Sequence, residues 1–580
     1  MSAYENLLDR TSGSIKDFFI LVRHFFLRLF QNDAVLFEEQ KTQKIIGFLA
    51  IVAIFSAHLA DGILRKYLFF ADEGTSWVEK NYFLSYLMVM MGFITVIEWD
   101  ALFPDRRDFS NLISLPVKLR AFFMAKFVSL ILFVGMFSLG ANALSIFVFY
   151  LYLPRWQSPN PLYGFRFMGS HLLGAFCACC FILLFCTLIM GVLINILGDR
   201  LFRALFLYIK TGLMVILVFL LILFFSETLT VPHSLLSFSR LREDGASFLF
   251  FYPPMWFTSL YESLLGNKDP FFHELSRIAL LALGFTTTIF FITSALSYKR
   301  YLKRMDEVKT RAPQFVKLRR CLSGIFSPVF LRHPIEKAVF SFFGVTLRRN
   351  MIHKMRLASF MAIALGMSLI LLVSRASHTK TFATFDRSLL SIPLILTFFL
   401  VVGIRRIVNI PAYLEANWIF RLTESQDRKR YFSGLRKGVL FYAFIPLFLC
   451  IFVFYSFLWN WKDTFYHCLF GLAVSLLLME ILFIRFRKIP FTSSYLPGKE
   501  KLHIFWIVYL LGFLLYVGLM SSVEVSLFAE PSRFIIFFGV VLFFVIVIRT
   551  YQNHLFFKKT EIVYEEKLEP VMLGLETDLD

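Results

Sequence analysis

Residues 171–197 read HLLGAFCACCFILLFCTLIMGVLINIL, without a single Asp, Glu, Lys or Arg. About 20 apolar residues in helical form cross a bilayer's hydrocarbon, and a helix satisfies its own backbone hydrogen bonds where water is absent, so the stretch predicts a membrane span. Working outward, comparable runs lie near 45–64, 82–98, 127–152, 206–229 and 276–297. Six more follow near 357–374, 389–404, 438–459, 466–484, 504–523 and 534–549. The expected fold is therefore all-α and polytopic, with about twelve transmembrane helices. Of the 580 residues 58% are hydrophobic and 17% charged, with a mean hydropathy of +0.68. Soluble domains carry about a quarter charged residues, so a soluble enzyme is excluded.

The formal net charge of +20 does not point to nucleic acid, because Lys and Arg fall between the apolar runs. The segment 298–356 is densely basic, from Lys299 and Arg300 to Lys354 and Arg356, against Asp306, Glu307 and Glu336. Loops 98–126, 405–437 and 485–502 are also basic, whereas 154–170, 460–465 and 524–532 are poor in Lys and Arg. An excess of cations marks the cytoplasmic side and favours anionic lipid, which assigns both termini to the cytoplasm. The N-terminus shows no cleavable signal pattern.

Before the first span, residues 15–30 place Ile15, Phe18, Phe19, Val22, Phe26 and Leu29 on one helical face. A similar stripe, Ile335, Val339, Phe342, Phe343 and Leu347, precedes the seventh span within 335–356. Both are too charged to cross and are expected to lie in the interface as amphipathic elbow helices. With long basic loops after spans two and eight, the recurrence predicts two pseudo-repeated six-helix halves. The expected domains are 1–300, a cytoplasmic linker at 301–330 containing Pro313 and Pro328, and 331–580 with a cytoplasmic tail.

Polar groups in the spans are few. Glu227 and Glu524 stand at the outer ends of spans five and eleven, and Glu480 one turn inside span ten with Arg485 and Arg487 as expected partners. These three carboxylates are the candidates for a substrate path, since intramembrane carboxylates often face a cavity. Asn142 and Asn195 are expected to bond between helices. Cys177, Cys179, Cys180 and Cys186 share one apolar run and read as packing residues, not metal ligands.

The first cytoplasmic loop, EWDALFPDRRDFSNLISLPVKLRAFFMAK at 98–126, joins the charged Asp105, Arg106, Arg107 and Asp108 to apolar Leu112, Ile113 and Leu115, then Pro116. Apolar anchors flanked by charges suit docking to a groove on a soluble partner. In the second-half loop, GIRRIVNIPAYLEANWIFRLTE at 403–424, Pro411 is expected to start a helix with Leu414, Trp418 and Leu422 on one face, leaving Arg421 and Glu424 for a partner. Between spans five and six the aromatic FYPPMWFTSLYESLLG at 251–266 predicts short re-entrant helices at the outer face.

The loop at 98–126 resembles the coupling helix of permease subunits in bacterial type-2 ABC exporters: a charged cluster, a leucine pair, a proline and a downstream lysine. The elbow, six spans and re-entrant segment resemble that family as well. ANWIFR, KIPFTSSYLPGK at 488–499 and 251–266 resemble blocks of large bacterial ABC permease-like proteins. The resemblance implies a fused pair of permease domains in the inner membrane. It implies an exporter of a lipid or similar amphiphile, with no catalytic residues or cofactor of its own. The second loop lacks the order of the first. No Walker A pattern exists, since Gly498-Lys499 is followed by Glu500. ATP and Mg are thus expected in a separate ABC ATPase subunit, in two copies, coupled through Asp105 to Asp108, Leu112, Leu115, Pro116, Pro411, Trp418, Arg421 and Glu424. Two other classes stay open. One is a lipid-linked glycosyltransferase using Asp72 and Glu73; the other is an ion-coupled secondary transporter, which calls for acidic or histidine residues deep in the spans.

Overall fold

A computed structural model describes residues 18–27, 29, 38–68, 76–99, 119–153, 161–230, 248–303, 331, 333–378, 386–412, 417–422, 428–484, 486, 489–492, 502–530 and 532–558. Among these residues every regular element is helical. Twelve segments are long and apolar enough to cross a membrane, so the chain is a multi-pass helical membrane protein. It divides into two compact units, Met1–Val308 and Lys309–Asp580.

In the first unit α1 (Phe18–Leu27) is short. It is followed by α2 (Glu38–Leu64), α3 (Ser76–Ile97), α4 (Leu119–Tyr152) and α5 (Pro161–Thr230). Of the expected stripe of α1, Val22 and Phe18 pack with Leu21 and Phe25 on Phe122 and Ala125 of α4, and among its described residues only Phe19 departs from it, at 65% exposure. Lys126 lies over the Phe25 ring, 5.8 Å from its centroid.

Spans four and five form one run of helical backbone, α5. Seventy residues at 1.5 Å each would extend about 105 Å, over three times the hydrocarbon thickness. Yet Ile182 and Leu217 both come within 3.5 Å of the space a Cβ would occupy on Gly92 of α3. A straight helix would hold those two residues about 50 Å apart. The backbone therefore doubles back between its apolar arms, Tyr163–Leu193 and Leu205–Phe225. Along α3, Phe83 meets His171 and Trp99 donates to the Cys186 carbonyl, so the first arm runs parallel to α3. Tyr82 donates to the Phe224 carbonyl and Trp99 lies against Phe206, so the second arm runs antiparallel.

A helical turn, Phe248–Phe251, leads into α6 (Pro253–Leu265), which packs against α3, α5 and α7 (Pro270–Lys303). Nearly all of α6 is buried. Gly266 closes it with φ +92°, a conformation that favours a residue without Cβ. The Asp269 carboxylate then accepts the Phe271 N–H at 3.0 Å, and Pro270 stands at the first position of α7.

The second unit begins with α8 (Pro334–Arg349) and α9 (Met351–His378). The expected helix over 335–356 is in fact broken at Asn350, whose side-chain oxygen accepts the Ile352 N–H at 3.0 Å and starts the seventh span. All five residues of the α8 stripe join the core. Next come α10 (Arg387–Ile407), the short α11 (Asn417–Leu422), α12 (Arg428–Val439) and α13 (Ile445–Ser456). A π-helical turn, Leu440–Phe444, joins the last two; Pro446 lacks an N–H and crowds the preceding turn, which the wider turn relieves. The unit ends with α14 (Trp461–Leu482), α15 (Leu502–Ala529) and α16 (Arg533–Lys558).

Candidate functional site

The residues after α10 form the root of the second expected coupling element. Phe491 N–H donates to the Val408 carbonyl and Ala412 N–H to the Phe491 carbonyl, each at 2.9 Å. Nε2 of His353 on α9 lies 3.0 Å from the Ile410 carbonyl. Phe491 holds φ +61°, a backbone state that costs a non-glycine residue about 1–3 kcal/mol. Its ring packs against Phe342, Phe343 and His353, and this packing offsets the cost. Pro411 is half-buried inside this junction. Beyond it, α11 presents Trp418 at 59% exposure and Leu422 at 77%, with Ile419 also exposed. Arg421 lies on α11, with its side chain outside the described residues. Leu414, Glu424 and the first-loop residues Asp105, Arg106, Arg107, Asp108, Leu112, Leu115 and Pro116 lie outside them altogether, as do Asp72 and Glu73.

In the first unit a buried polar cluster surrounds the start of α3. Lys80 donates to Glu262 of α6 at 2.7 Å, both side chains nearly inaccessible. The ammonium also lies 5.0 Å from the Tyr261 ring centroid. One position along, Thr258 donates to the Asn81 side chain at 3.1 Å; one turn further, Ser85 shares a 2.8 Å hydrogen bond with Tyr252. Tyr67 donates to Glu79 at 2.9 Å. His171, in the first arm of α5, places Nδ1 3.3 Å from the Tyr261 hydroxyl and packs against Phe83 and Phe149. These bonds fasten α6 along the first turns of α3.

In the second unit, Nδ1 of His467 on α14 lies 2.5 Å from Oε1 of Glu524 on α15, and both side chains are enclosed. The Tyr455 and Trp459 rings flank the imidazole at 4.6 and 5.3 Å between centroids. At the other end of α14, Arg549 donates to Oε1 of Glu480 at 2.7 Å, and Nε of Arg436 lies 3.0 Å from Oε2. Gln552 donates to the Glu480 carbonyl at 3.1 Å. A shallow cleft lined by Phe432, Leu435, Met479 and Phe483 borders this cluster. Glu227 lies on α5, its side chain outside the described residues.

Arg436 and Arg549 serve Glu480, and its expected partners Arg485 and Arg487 lie outside the described residues. Two sequence expectations change. Asn142 bonds within its own helix, donating to the Ser138 carbonyl at 2.7 Å, a group one turn back and within an asparagine's reach; Asn195 likewise donates to the Gly191 carbonyl at 2.8 Å. Ionisable residues within the spans are also more frequent than hydropathy windows suggested, since Lys80, His171, Lys210 and His467 are buried as well as Glu524. Lys80 and Glu262 escaped notice because they lie 182 positions apart. Comparison of the chain with protein-family models, curated proteins and solved structures gave no match.

Proposed function

We propose that this chain is the membrane-spanning permease of an ATP-driven exporter in a bacterial inner membrane, with both termini cytoplasmic. It would move a lipid or other amphiphile, energised by a separate ABC ATPase. The observation that carries the reading is α11, an uncovered apolar helix rooted in the bundle through Val408, Phe491 and Ala412. A docking element transmits force only if its base is fixed, and this base is held by the backbone of Phe491 and the side chain of His353. The duplicated plan also has support: His171 on the fourth span meets Phe149 of the third, and His467 on the tenth meets Tyr455 of the ninth. On this reading α1 and α8 are the elbow helices of the two halves, and 98–126 is the first coupling loop. ATP-driven closure of two ATPase copies would push both loops and rock the halves.

The test is co-purification of the ATPase with full-length protein carrying Trp418→Asp and Leu422→Asp, or Arg106→Ala, Arg107→Ala and Asp108→Ala. Loss of the ATPase from a folded membrane protein is expected; unchanged co-purification and transport reject the assignment. A second reading, ion-coupled secondary transport, gains from the buried His467–Glu524 pair. Transport that survives ATP depletion but stops when the proton gradient is collapsed would select it.

A further inference from the structure

We infer that His467 and Glu524 form a proton-binding site that joins α14 to α15, and that parting these helices releases the proton.

The geometry isolates the pair. Nδ1 of His467 and Oε1 of Glu524 are 2.5 Å apart, while the remaining polar atoms, Nε2 of His467 and Oε2 of Glu524, are buried without hydrogen-bond partners. Oγ1 of Thr464, one turn from His467, is buried and unpartnered as well. Around the pair, α13 and the turn after it contribute Tyr455 and Trp459; Tyr455 donates its own proton to the Leu389 carbonyl at 2.5 Å. The titratable side chains that feel the carboxylate are Tyr455, Cys468 on α14 and Tyr516 on α15. Leu394 of α10 and Phe534 of α16 share an apolar cluster with Phe470 of α14 and Leu527 of α15, each three residues from a member of the pair.

In this setting the pair carries one proton as a net-neutral unit, whether the proton rests on nitrogen or on oxygen. Removing it leaves a carboxylate facing a neutral imidazole, and adding a second leaves an imidazolium facing a neutral carboxyl; either net charge without an opposite one is expensive there. Once α14 and α15 part and water reaches the pair, the two groups titrate separately near their ordinary values, about 4.3 for Glu and 6.5 for His. Above about pH 6.5 the parted pair holds no proton and the joined pair holds one, so parting releases one proton. Between about pH 4.3 and 6.5 both forms hold one and the equilibrium is insensitive to pH. The joined form is therefore favoured on the acidic side of neutrality. The ratio of parted to joined molecules rises with pH above about 6.5, by at most about tenfold per pH unit for the one proton released. The site lies wholly within the second unit and operates whatever the energy source.

The experiment places spin labels at the exposed Trp461 and Ser526 of full-length protein in nanodiscs and reads the interlabel distance distribution by pulsed electron resonance. A longer-distance population growing from pH 6.5 to 8.5, and independent of pH in E524Q, supports the site. Should E524Q not fold, the double variant His467→Phe with Glu524→Leu leaves no polar group of the pair to bury, and the same loss of pH response is expected. A native distribution unchanged over that range, or an equal pH response in a folded variant, overturns it.

Discussion

Exchanging Glu262 for Gln tests whether α6 is fastened inside the first unit. The substitution keeps the side chain's shape and removes its charge, leaving the Lys80 ammonium in a site where the pair is almost inaccessible and 2.7 Å long. Breaking one member of a buried ion pair costs about 3–5 kcal/mol, most of it the desolvation of the abandoned charge. The Tyr261 ring 5.0 Å from the ammonium offsets about 0.5–2 kcal/mol of that. A net loss of about 1–4.5 kcal/mol is expected. Lys80→Met alone leaves Glu262 with Asn267, whose side chain donates to it at 3.3 Å, and should cost a similar amount. The double variant Lys80→Met with Glu262→Gln removes both charges, so its loss should be smaller than either single loss. The assay is an unfolding titration of the four proteins in mixed micelles, read by helical circular dichroism. Single losses below about 1 kcal/mol that simply add in the double variant would show that water reaches the pair, and the fastening of α6 would be refuted.

Two perturbations of the second unit test its packing and its surface charge. A Cβ on Gly434 of α12 would stand 2.8 Å from the Glu336 carbonyl and 3.0 Å from Val339 on α8. Backbone cannot yield as a side-chain tip does, so Gly434→Ala should lower stability by about 1–3 kcal/mol in thermal unfolding, and an unchanged midpoint would contradict the packing. Burial alone would raise the Glu336 carboxyl, but the Lys437 hydrogen bond and charge, helped by Ser433 and Arg430, outweigh it and hold the group below its usual range. A depressed carboxyl contributes stability above its unfolded value of about 4.3 and loses it as pH falls through the folded value. Native protein should therefore lose more stability than Glu336→Gln as pH is lowered from about 5 to about 3, and parallel curves would refute the ion pair.

Length and apolarity made the twelve spans legible, because both are fixed by the bilayer. The face each span turns to its neighbours was not legible, since lipid and protein interior are equally apolar. The α8 stripe was readable because Lys337, Ser341 and Arg348 mark a polar side opposite it. In α1 the apolar residues wrap further round, and the stripe chosen from sequence included the exposed Phe19 while omitting Leu21 and Phe25. Pro411 reads from local spacing as the start of a helix, whereas the described helix α11 begins at Asn417. Phe491 was not legible, because its positive φ is imposed by bonds to Val408 and Ala412, far back along the chain. The partners of Glu480 and Glu524 lie 69 and 57 positions off, beyond the reach of any helical periodicity.

The buried polar contacts of the two units share a centre and differ in the groups that make them. The second span is the hub of each: 67% of the α3 window and 78% of the α10 window is buried, against 17% for α16. In the first unit α3 is tied near its start to α6 through Lys80, Asn81 and Ser85, and near its end to both arms of α5, where Trp99 reaches the Cys186 carbonyl and Lys210 reaches the Ile97 carbonyl at 3.3 Å. In the second unit α10 is held by Tyr455 at Leu389 and by Arg405, which donates to the Leu482 carbonyl at 3.2 Å. The link between α14 and α15 is of another kind, pairing a carboxylate with an imidazole where the others use an ammonium, a guanidinium, an indole or a hydroxyl. Both of its helices also pack on α10, where Arg405 reaches the last residue of α14 and Thr397 meets Tyr516 of α15, so on the inference above a change in proton concentration acts inside the second unit where α14, α15 and α10 meet.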